Sequence, residues 1–163
     1  MPTTLIQLRN DGERYKFQYQ DGKKEKVEII TRAQINQKLK MIDNITETAF
    51  KGLVFKGSLI LSDKVTKLPD RAFKDSVIDE LYCKVELVGQ SVFQNYKGRS
   101  VVFYELAENA SIKLKKDAFS NAKIGKLVFL NPIQLSSDSP ESSLSDFSII
   151  NQIPSDGSKK VFG

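Results

Sequence analysis

The chain offers few side chains from which an enzyme could build a nucleophile and its base. It contains no histidine, and its only thiol is Cys83. A cysteine nucleophile needs a neighbouring base, which is usually histidine. Cys83 also ends the apolar strand pattern Leu81-Tyr82-Cys83, which favours a buried structural role. We therefore predict no catalytic residues and no enzymatic activity.

Clustered carboxylates are the other candidates for chemistry. Asp79 and Glu80 are adjacent, and Asp70 lies close to Asp75. Such pairs can exchange protons or hold a cation. However, they stand beside a turn and at the start of a strand pattern, where solvated charges are common. Neither a calcium-loop spacing nor a glycine-rich phosphate loop is present. The sequence therefore predicts no metal site and no cofactor.

A basic and aromatic stretch near the N-terminus suggests a second kind of chemistry, the binding of single-stranded nucleic acid. Tyr15, Phe17 and Tyr19 alternate with Arg14 and Lys16, and further lysines follow. Bases can stack on aromatic rings beside such cations. Strict alternation places the rings on the face opposite the cations, which favours a core face and a solvated face. Binding of nucleic acid or an anionic surface by this basic N-terminal unit remains an alternative function.

The elements that must position any site come from a pattern that occurs four times. A small apolar residue precedes a phenylalanine in each copy, and the phenylalanines lie 23, 20 and 26 residues apart. An apolar residue lies five positions before each phenylalanine. Residues of a strand pattern lie eight or nine positions after it. A copy of this length cannot bury both faces alone, so the copies must stack. We expect the rings to stack along the axis and a short helical turn to follow each one. The pairs are Ala49-Phe50, Ala72-Phe73, Val92-Phe93 and Ala118-Phe119.

This pattern resembles the BspA-like, or Treponema-type, leucine-rich repeat over residues 42–131. The matching residues of one copy are Val65, Leu68, Pro69, Ala72, Phe73, Ile78 and Leu81. The resemblance implies an α+β repeat solenoid, a leucine-rich-repeat stack of about four units. It also implies a role in adhesion and protein recognition, which the residues alone do not indicate.

Three segments are expected along the chain. Residues 1–41 are predicted to form an N-terminal cap, with strands over 4–9, 14–20 and 26–30. A helix is predicted over 32–41, with Thr31 as its N-cap residue. Residues 42–135 predict the solenoid. Residues 136–163 predict an acidic, serine-rich linker and a C-terminal tail. No apolar run could span a bilayer, and no secretory signal is evident. The sequence leaves the compartment open: the protein is cytoplasmic, or it is at the surface or secreted if a targeting segment is missing or the route is unusual.

The predicted binding site lies on the strands of the solenoid. If Leu59, Leu81 and Leu127 point inward, their neighbours point outward, because strand side chains alternate. The outward row would form an exposed apolar and aromatic stripe, which is typical of a protein contact site. Val102 or Phe103 continues the row on the third strand. The predicted binding residues are Ile60, Tyr82, Val102 and Val128, flanked by Lys84 and Lys126. The partner is predicted to be another protein, and a structural or regulatory fragment of a larger protein is a further alternative.

Overall fold

The computed structural model describes residues 2–104 and 106–135, together with the backbone of residues 160–162. The predicted linker and most of the predicted tail lie outside the described residues. The elements are β1 Thr3–Asp11, β2 Arg14–Asp21, β3 Lys24–Ile30, α1 Arg32–Leu39, β4 Asn44–Ile45, β5 Val54–Ile60, β6 Lys67–Leu68, β7 Val77–Cys83, β8 Leu87–Val88, β9 Lys97–Phe103, β10 Ile112–Leu114, β11 Lys123–Phe129, β12 Ile133–Leu135 and β13 Lys160–Phe162.

The N-terminal unit has the predicted antiparallel meander, followed by one helix. β1, β2 and β3 pair in sequence order. Gly12 and Gly22 take positive φ in the two turns, as glycine readily does. Tyr15, Phe17 and Tyr19 are buried, which confirms that they form the core face of β2. α1 ends two residues before the predicted end, and the Gln34 side chain accepts a 2.9 Å hydrogen bond from the Thr31 N–H at its start.

The repeats form a β-solenoid of about four turns, built from two parallel sheets. We call β5, β7, β9 and β11 the long sheet, and β6, β8, β10 and β12 the short sheet. Each coil contributes one strand to the long sheet. The short strands precede the long strands of the second to fourth coils, with β12 following the fourth, and within each sheet the strands pair in parallel with their equivalents in the next coil. β13 pairs antiparallel with β11 and extends the long sheet by one strand.

The α+β prediction is wrong, because the described residues contain only one helix. The predicted helical turns after the Ala-Phe pairs are non-helical turns. Their backbone N–H groups donate between coils, from Phe73 to the Val92 carbonyl at 3.0 Å and from Asp75 to the Gln94 carbonyl at 2.9 Å. An α-helix would need those N–H groups for bonds within the same segment.

Left-handed backbone positions explain how the turns stack. The residue two positions after each phenylalanine has positive φ in all four coils: Gly52, Asp75, Asn95 and Asn121. Glycine, asparagine and aspartate tolerate this conformation best. The residue two positions before the phenylalanine has positive φ in the last three coils: Arg71, Ser91 and Asp117. Two such residues flank each of these rings, so the turn folds back to the next strand within a few residues.

The phenylalanines form the predicted stack inside the solenoid. Ring centroids are 4.6 Å apart for Phe50 and Phe73, 5.4 Å for Phe73 and Phe93, and 4.9 Å for Phe93 and Phe119. The planes of these pairs are 3°, 10° and 5° from parallel. The small residue before each ring is fully buried. Identical side chains at one coil position therefore set the spacing of the coils.

The third coil departs from this uniformity around a buried tyrosine. Tyr96 lies three positions after the phenylalanine of its coil, and its equivalents in the adjacent coils are the small residues Ser76 and Ala122. Gly98 makes further room for the ring. A Cβ at Gly98 would lie 2.3 Å from the Ile78 carbonyl oxygen and 2.9 Å from the Tyr96 ring. The large side chain is thus accommodated by small residues on three sides.

The N-terminal unit closes the first end of the solenoid. β1 pairs in parallel with β4, and the Leu8 N–H donates a 2.7 Å hydrogen bond to the Ala49 carbonyl. Asn10 donates to the Val54 carbonyl and accepts from its N–H, at 2.8 and 2.9 Å. Asn36 likewise donates to the Ser58 carbonyl at 2.7 Å and accepts from Ile60 N–H at 2.9 Å. These two amides occupy the edge of β5, which would otherwise be open to another strand.

A proline explains why β4, the short strand of the first coil, is not part of the short sheet. In the later coils, the residue after each short strand donates to the preceding coil, as Gly89 N–H does to the Leu68 carbonyl at 2.9 Å. Pro69 holds the equivalent position in its coil and has no N–H. Accordingly, β4 belongs to the sheet of β1 and not to the short sheet.

Candidate functional site

The outward row predicted on the long sheet exists and is aligned across the coils. Ile60 pairs with Tyr82, Tyr82 with Val102, and Val102 with Val128. The residues on either side of each point inward and are buried, including Leu81, Cys83, Val101 and Phe103. The third strand therefore presents Val102 and not Phe103.

The exposure of this row falls along the solenoid axis. Ile60 is 41% exposed, and Tyr82 and Val102 are half-buried. Val128 is only 5% exposed, so the prediction that it belongs to an exposed stripe is wrong. β13 pairs alongside β11 at this position, which leaves Val128 with a strand on each side. The open stripe therefore consists of Ile60, Tyr82 and Val102.

Tyr82, a member of the stripe, stacks on the ring of Tyr104. The ring centroids of Tyr82 and Tyr104 are 5.8 Å apart, and their planes differ by 21°. Partial burial, reinforced by Tyr82, raises the pKa of Tyr104 above its ordinary value. Both rings therefore offer apolar faces, and the Tyr104 hydroxyl stays protonated at neutral pH.

The two predicted flanking lysines occupy different places. Lys126 is exposed on β11 and pairs with Ser100 of β9. Lys84 follows the last residue of β7 and is half-buried. Of the two lysines, only Lys126 lies on the solvent-exposed surface around the stripe.

Two shallow depressions occupy the outer face of the long sheet. One, of about 460 Å³, is lined by Glu80, Tyr82, Arg99, Ser100, Val102, Lys126, Val128 and Leu130. The other, of about 1130 Å³, lies where the strands begin and is lined by Asp75, Val77, Asn95, Lys97, Asn121, Ala122, Lys123, Ile124 and Gly125. The first contains four of the six predicted binding residues.

Sequence reasoning missed three cations on this face. Lys97, Arg99 and Lys123 are exposed on β9 and β11 beside Lys126. We call these four residues the basic cluster. Arg99 forms an ion pair with Glu80 at 3.4 Å, and Glu80 also accepts a 2.8 Å hydrogen bond from the Ser58 hydroxyl. The signal was present, because neither strand contains an acidic residue.

The side chains considered above for catalysis are either buried or hydrogen-bonded to a neighbouring segment. Cys83 is fully buried, and burial raises the pKa of its thiol well above the ordinary value. The carboxylates join neighbouring segments: Asp79 accepts from Gly57 N–H at 3.1 Å, Asp70 from Gln90 N–H at 2.8 Å. Asp75 accepts from the Asn95 side chain at 3.0 Å. Within residues 2–104 and 106–135, no three acidic or cysteine side chains gather as metal ligands.

The three aromatic rings on β2 of the N-terminal unit are buried, so bases cannot stack on them. Binding of nucleic acid or an anionic surface by the cations of this unit stays a prediction. Across the described part of the chain, no helix is long and apolar enough to cross a membrane.

Comparison with known proteins adds no relative: no family model, no curated protein and no solved structure matches the chain.

Proposed function

We propose that this chain is a non-catalytic recognition or adhesion module that binds another protein through the outer face of its long sheet. The observation that carries the proposal is the aligned row Ile60, Tyr82 and Val102, which presents apolar and aromatic side chains to solvent. Aromatic residues on an otherwise ordered surface are frequent anchors of protein interfaces.

Rigidity of the support favours the same function. Directly beneath the row, Leu59, Leu81 and Val101 are fully buried, and each strand is hydrogen-bonded to the next coil. A surface held in this way loses little conformational freedom on binding, which is one of the main costs of association. The row is therefore preorganised.

We further propose that the repeats are of the BspA-like leucine-rich type. Support comes from the four spaced Ala-Phe or Val-Phe pairs and from the buried apolar residue five positions before each: Ile45, Leu68, Val88 and Leu114. Adhesion is the activity that this kinship would add. A leucine-rich repeat has one strand plus a helix or 3-10 turn per unit, whereas these coils have two strands and non-helical turns, so this part of the proposal rests on the residue pattern.

The proposal can be tested by affinity capture from the source organism and from any host it lives with. The baits are the full chain, Tyr82→Glu and Ile29→Glu. Ile29 is 48% exposed on β3, so it is a matched apolar position on a different sheet. We expect a protein that the wild type and Ile29→Glu retain and that Tyr82→Glu loses, while all three unfold at similar temperatures. The same captured set on all three baits would contradict the proposal.

A second variant protects the test against a folding defect. Tyr82 is half-buried and stacks on Tyr104, so loss of binding in Tyr82→Glu has to be distinguished from damage to the core. Ile60→Glu changes the most exposed member of the row. If Ile60→Glu loses the same protein while its unfolding temperature is unchanged, the sheet face is supported as the binding site. If Ile60→Glu retains that protein in full, the sheet face is overturned as the site.

A further inference from the structure

The outer face of the last two long strands carries an unbalanced positive charge. β9 contributes Lys97 and Arg99 to the basic cluster, and β11 contributes Lys123 and Lys126. The only acidic residues on the four strands of the long sheet are Asp79 and Glu80 of β7. Four cations on two strands are therefore balanced only by these two carboxylates and by Asp75 in the turn before β7, which accepts a hydrogen bond from the Asn95 side chain.

Those two carboxylates already have partners. Glu80 contacts Arg99 and Ser58, and Asp79 accepts from the Gly57 N–H. Among the described residues, Lys97, Lys123 and Lys126 make no ion pair. The Arg99 side chain is 70% exposed despite its ion pair, so its guanidinium can also bind a ligand.

Two of the free cations are direct neighbours. Lys97 and Lys123 are paired across the parallel strands, which places their backbones about 4.8 Å apart. Like charges at paired positions lower the stability of a sheet. A fold gains nothing from this arrangement, whereas an anionic ligand that binds both ammonium groups would relieve the repulsion.

We infer that the partner presents an extended acidic segment of polypeptide with an adjacent apolar side chain. This inference rests on the proposed function and names the chemistry of its partner. The acidic residues bind Lys97, Lys123 and Arg99, where the strands begin. The apolar side chain packs on Tyr82 and Val102, toward the strand ends.

The dimensions of the face fit a short segment. From Lys97 to Val102, β9 advances five residues, or roughly 16 Å at about 3.3 Å per residue. An extended peptide laid along β9 would cover that distance with about six residues. Lys97 and Lys123 line the larger depression, beside Asp75. Tyr82 and Val102 line the smaller one, together with Arg99, Lys126 and Glu80.

A polypeptide fits this face better than a nucleic acid does. Nucleic-acid sites combine a run of cations with rings that are free to stack on bases. Here Tyr82 stacks on Tyr104, and the other members of the row are aliphatic. The face therefore offers one ring and not the series of rings on which successive bases stack, whereas a single apolar side chain of a peptide can pack on that ring.

Binding of defined polymers tests the inference. The probes are fluorescein-labelled poly-glutamate, a random copolymer of glutamate and tyrosine of the same length, and an oligothymidylate. Fluorescence anisotropy at about 50 mM salt preserves surface electrostatics. The proteins are the full chain, Lys97→Glu/Lys123→Glu, and the control Lys67→Glu/Lys113→Glu. The control makes the same charge change at two exposed positions of the short sheet.

The expected order of affinity for the wild type is the copolymer, then poly-glutamate, then oligothymidylate. The Lys97/Lys123 variant should bind the copolymer at least about tenfold more weakly, because two attractions become repulsions. The short-sheet control should change by less than about twofold. Equal losses in both variants would overturn the inference, as would tighter binding of oligothymidylate or no binding of the copolymer to the wild type.

This result and the proposed function can fail separately. If a captured protein is lost with Tyr82→Glu but kept with Lys97→Glu/Lys123→Glu, the sheet face is the site and the acidic segment is wrong. If Tyr82→Glu or Ile60→Glu keeps it in full, the sheet face itself is wrong, whatever the polymers do.

Discussion

The inner and outer faces of the long sheet are made by alternate residues of the same strands, yet they follow different rules. On the inner face, Leu59, Leu81, Val101 and Leu127 occupy one position, and all four are fully buried. On the outer face, the neighbouring positions hold isoleucine, tyrosine and two valines, with exposure from 41% to 5%. Coil stacking constrains the inner face to similar side chains. The outer face has no such constraint, so recognition can vary there without cost to the fold.

The largest contrast should come from the phenylalanine stack. Phe93 contacts the rings of Phe73, Phe119, Tyr96 and Phe103. Truncating it in Phe93→Ala should lower the free energy of unfolding by about 3–5 kcal/mol, the usual cost for a buried phenylalanine. Urea denaturation measures the loss. A change below about 1 kcal/mol would show that the stack does not hold the coils together.

A smaller loss of stability is expected when a side chain is enlarged at a tightly packed position of the inner face. Gly98→Ala would place a methyl group against the Ile78 carbonyl oxygen, and backbone must shift to admit it. Overpacking of this kind costs about 1–3 kcal/mol. Ser100→Ala, two residues along β9, is the control and should stay within about 0.5 kcal/mol. Similar unfolding midpoints for the two variants would refute the tight packing around Tyr96.

The buried thiol should make stability depend on alkaline pH. Burial raises the pKa of Cys83, so the folded state keeps the proton that an unfolded thiol loses above about pH 8.5. The folded state then binds more protons, and its free energy of unfolding falls as pH rises, by up to about 1.4 kcal/mol per pH unit. The stabilising contribution is complete below pH 8.5.

Denaturation between about pH 8.5 and 9.5 isolates this effect, because tyrosines, with an ordinary pKa of about 10, are still mostly protonated there in the unfolded chain. Cys83→Val should show a shallower slope over that interval. An unchanged slope would mean that the thiol is accessible to water.

The smallest effect is expected one residue away from the core. Ile60→Ala should lower the free energy of unfolding by no more than about 1 kcal/mol, because 41% of the residue is already exposed to solvent. Leu59→Ala, the matched inner variant, should lose roughly 2–5 kcal/mol. Chemical denaturation of the pair gives the difference. Equal losses would remove the distinction between the two faces.

The periodic part of the fold was predictable because each coil repeats the same packing problem. The Ala-Phe pairs and the apolar residues around them identified the stacked coils, the ring stack and the inward residues of the strands. The strict alternation of β2 likewise identified its buried face. Both signals are local patterns that burial imposes directly on the sequence.

Features that depend on contacts between distant segments were not predictable. Asn10 and Asn36 close the edge of β5, but an asparagine in a strand or helix gives no sign of a partner strand 22 to 44 residues away. Arg71 has positive φ although its residue type does not favour it. Val128 is buried because β13 returns to pair with β11. Only the basic cluster left a readable signal, two acid-free strands, that was overlooked.

Site-specific photo-cross-linking tests the central claim most directly, because it reads contact and not stability. Replacing Tyr82, Ile60 or Val102 by p-benzoylphenylalanine places the reactive group on the outer face of the long sheet; Ile29 and Lys67 provide the same probe on two other surfaces. The account predicts covalent capture of one protein from the three long-sheet positions and from neither control. Capture from Ile29 or Lys67, with none from Tyr82, Ile60 or Val102, would contradict it.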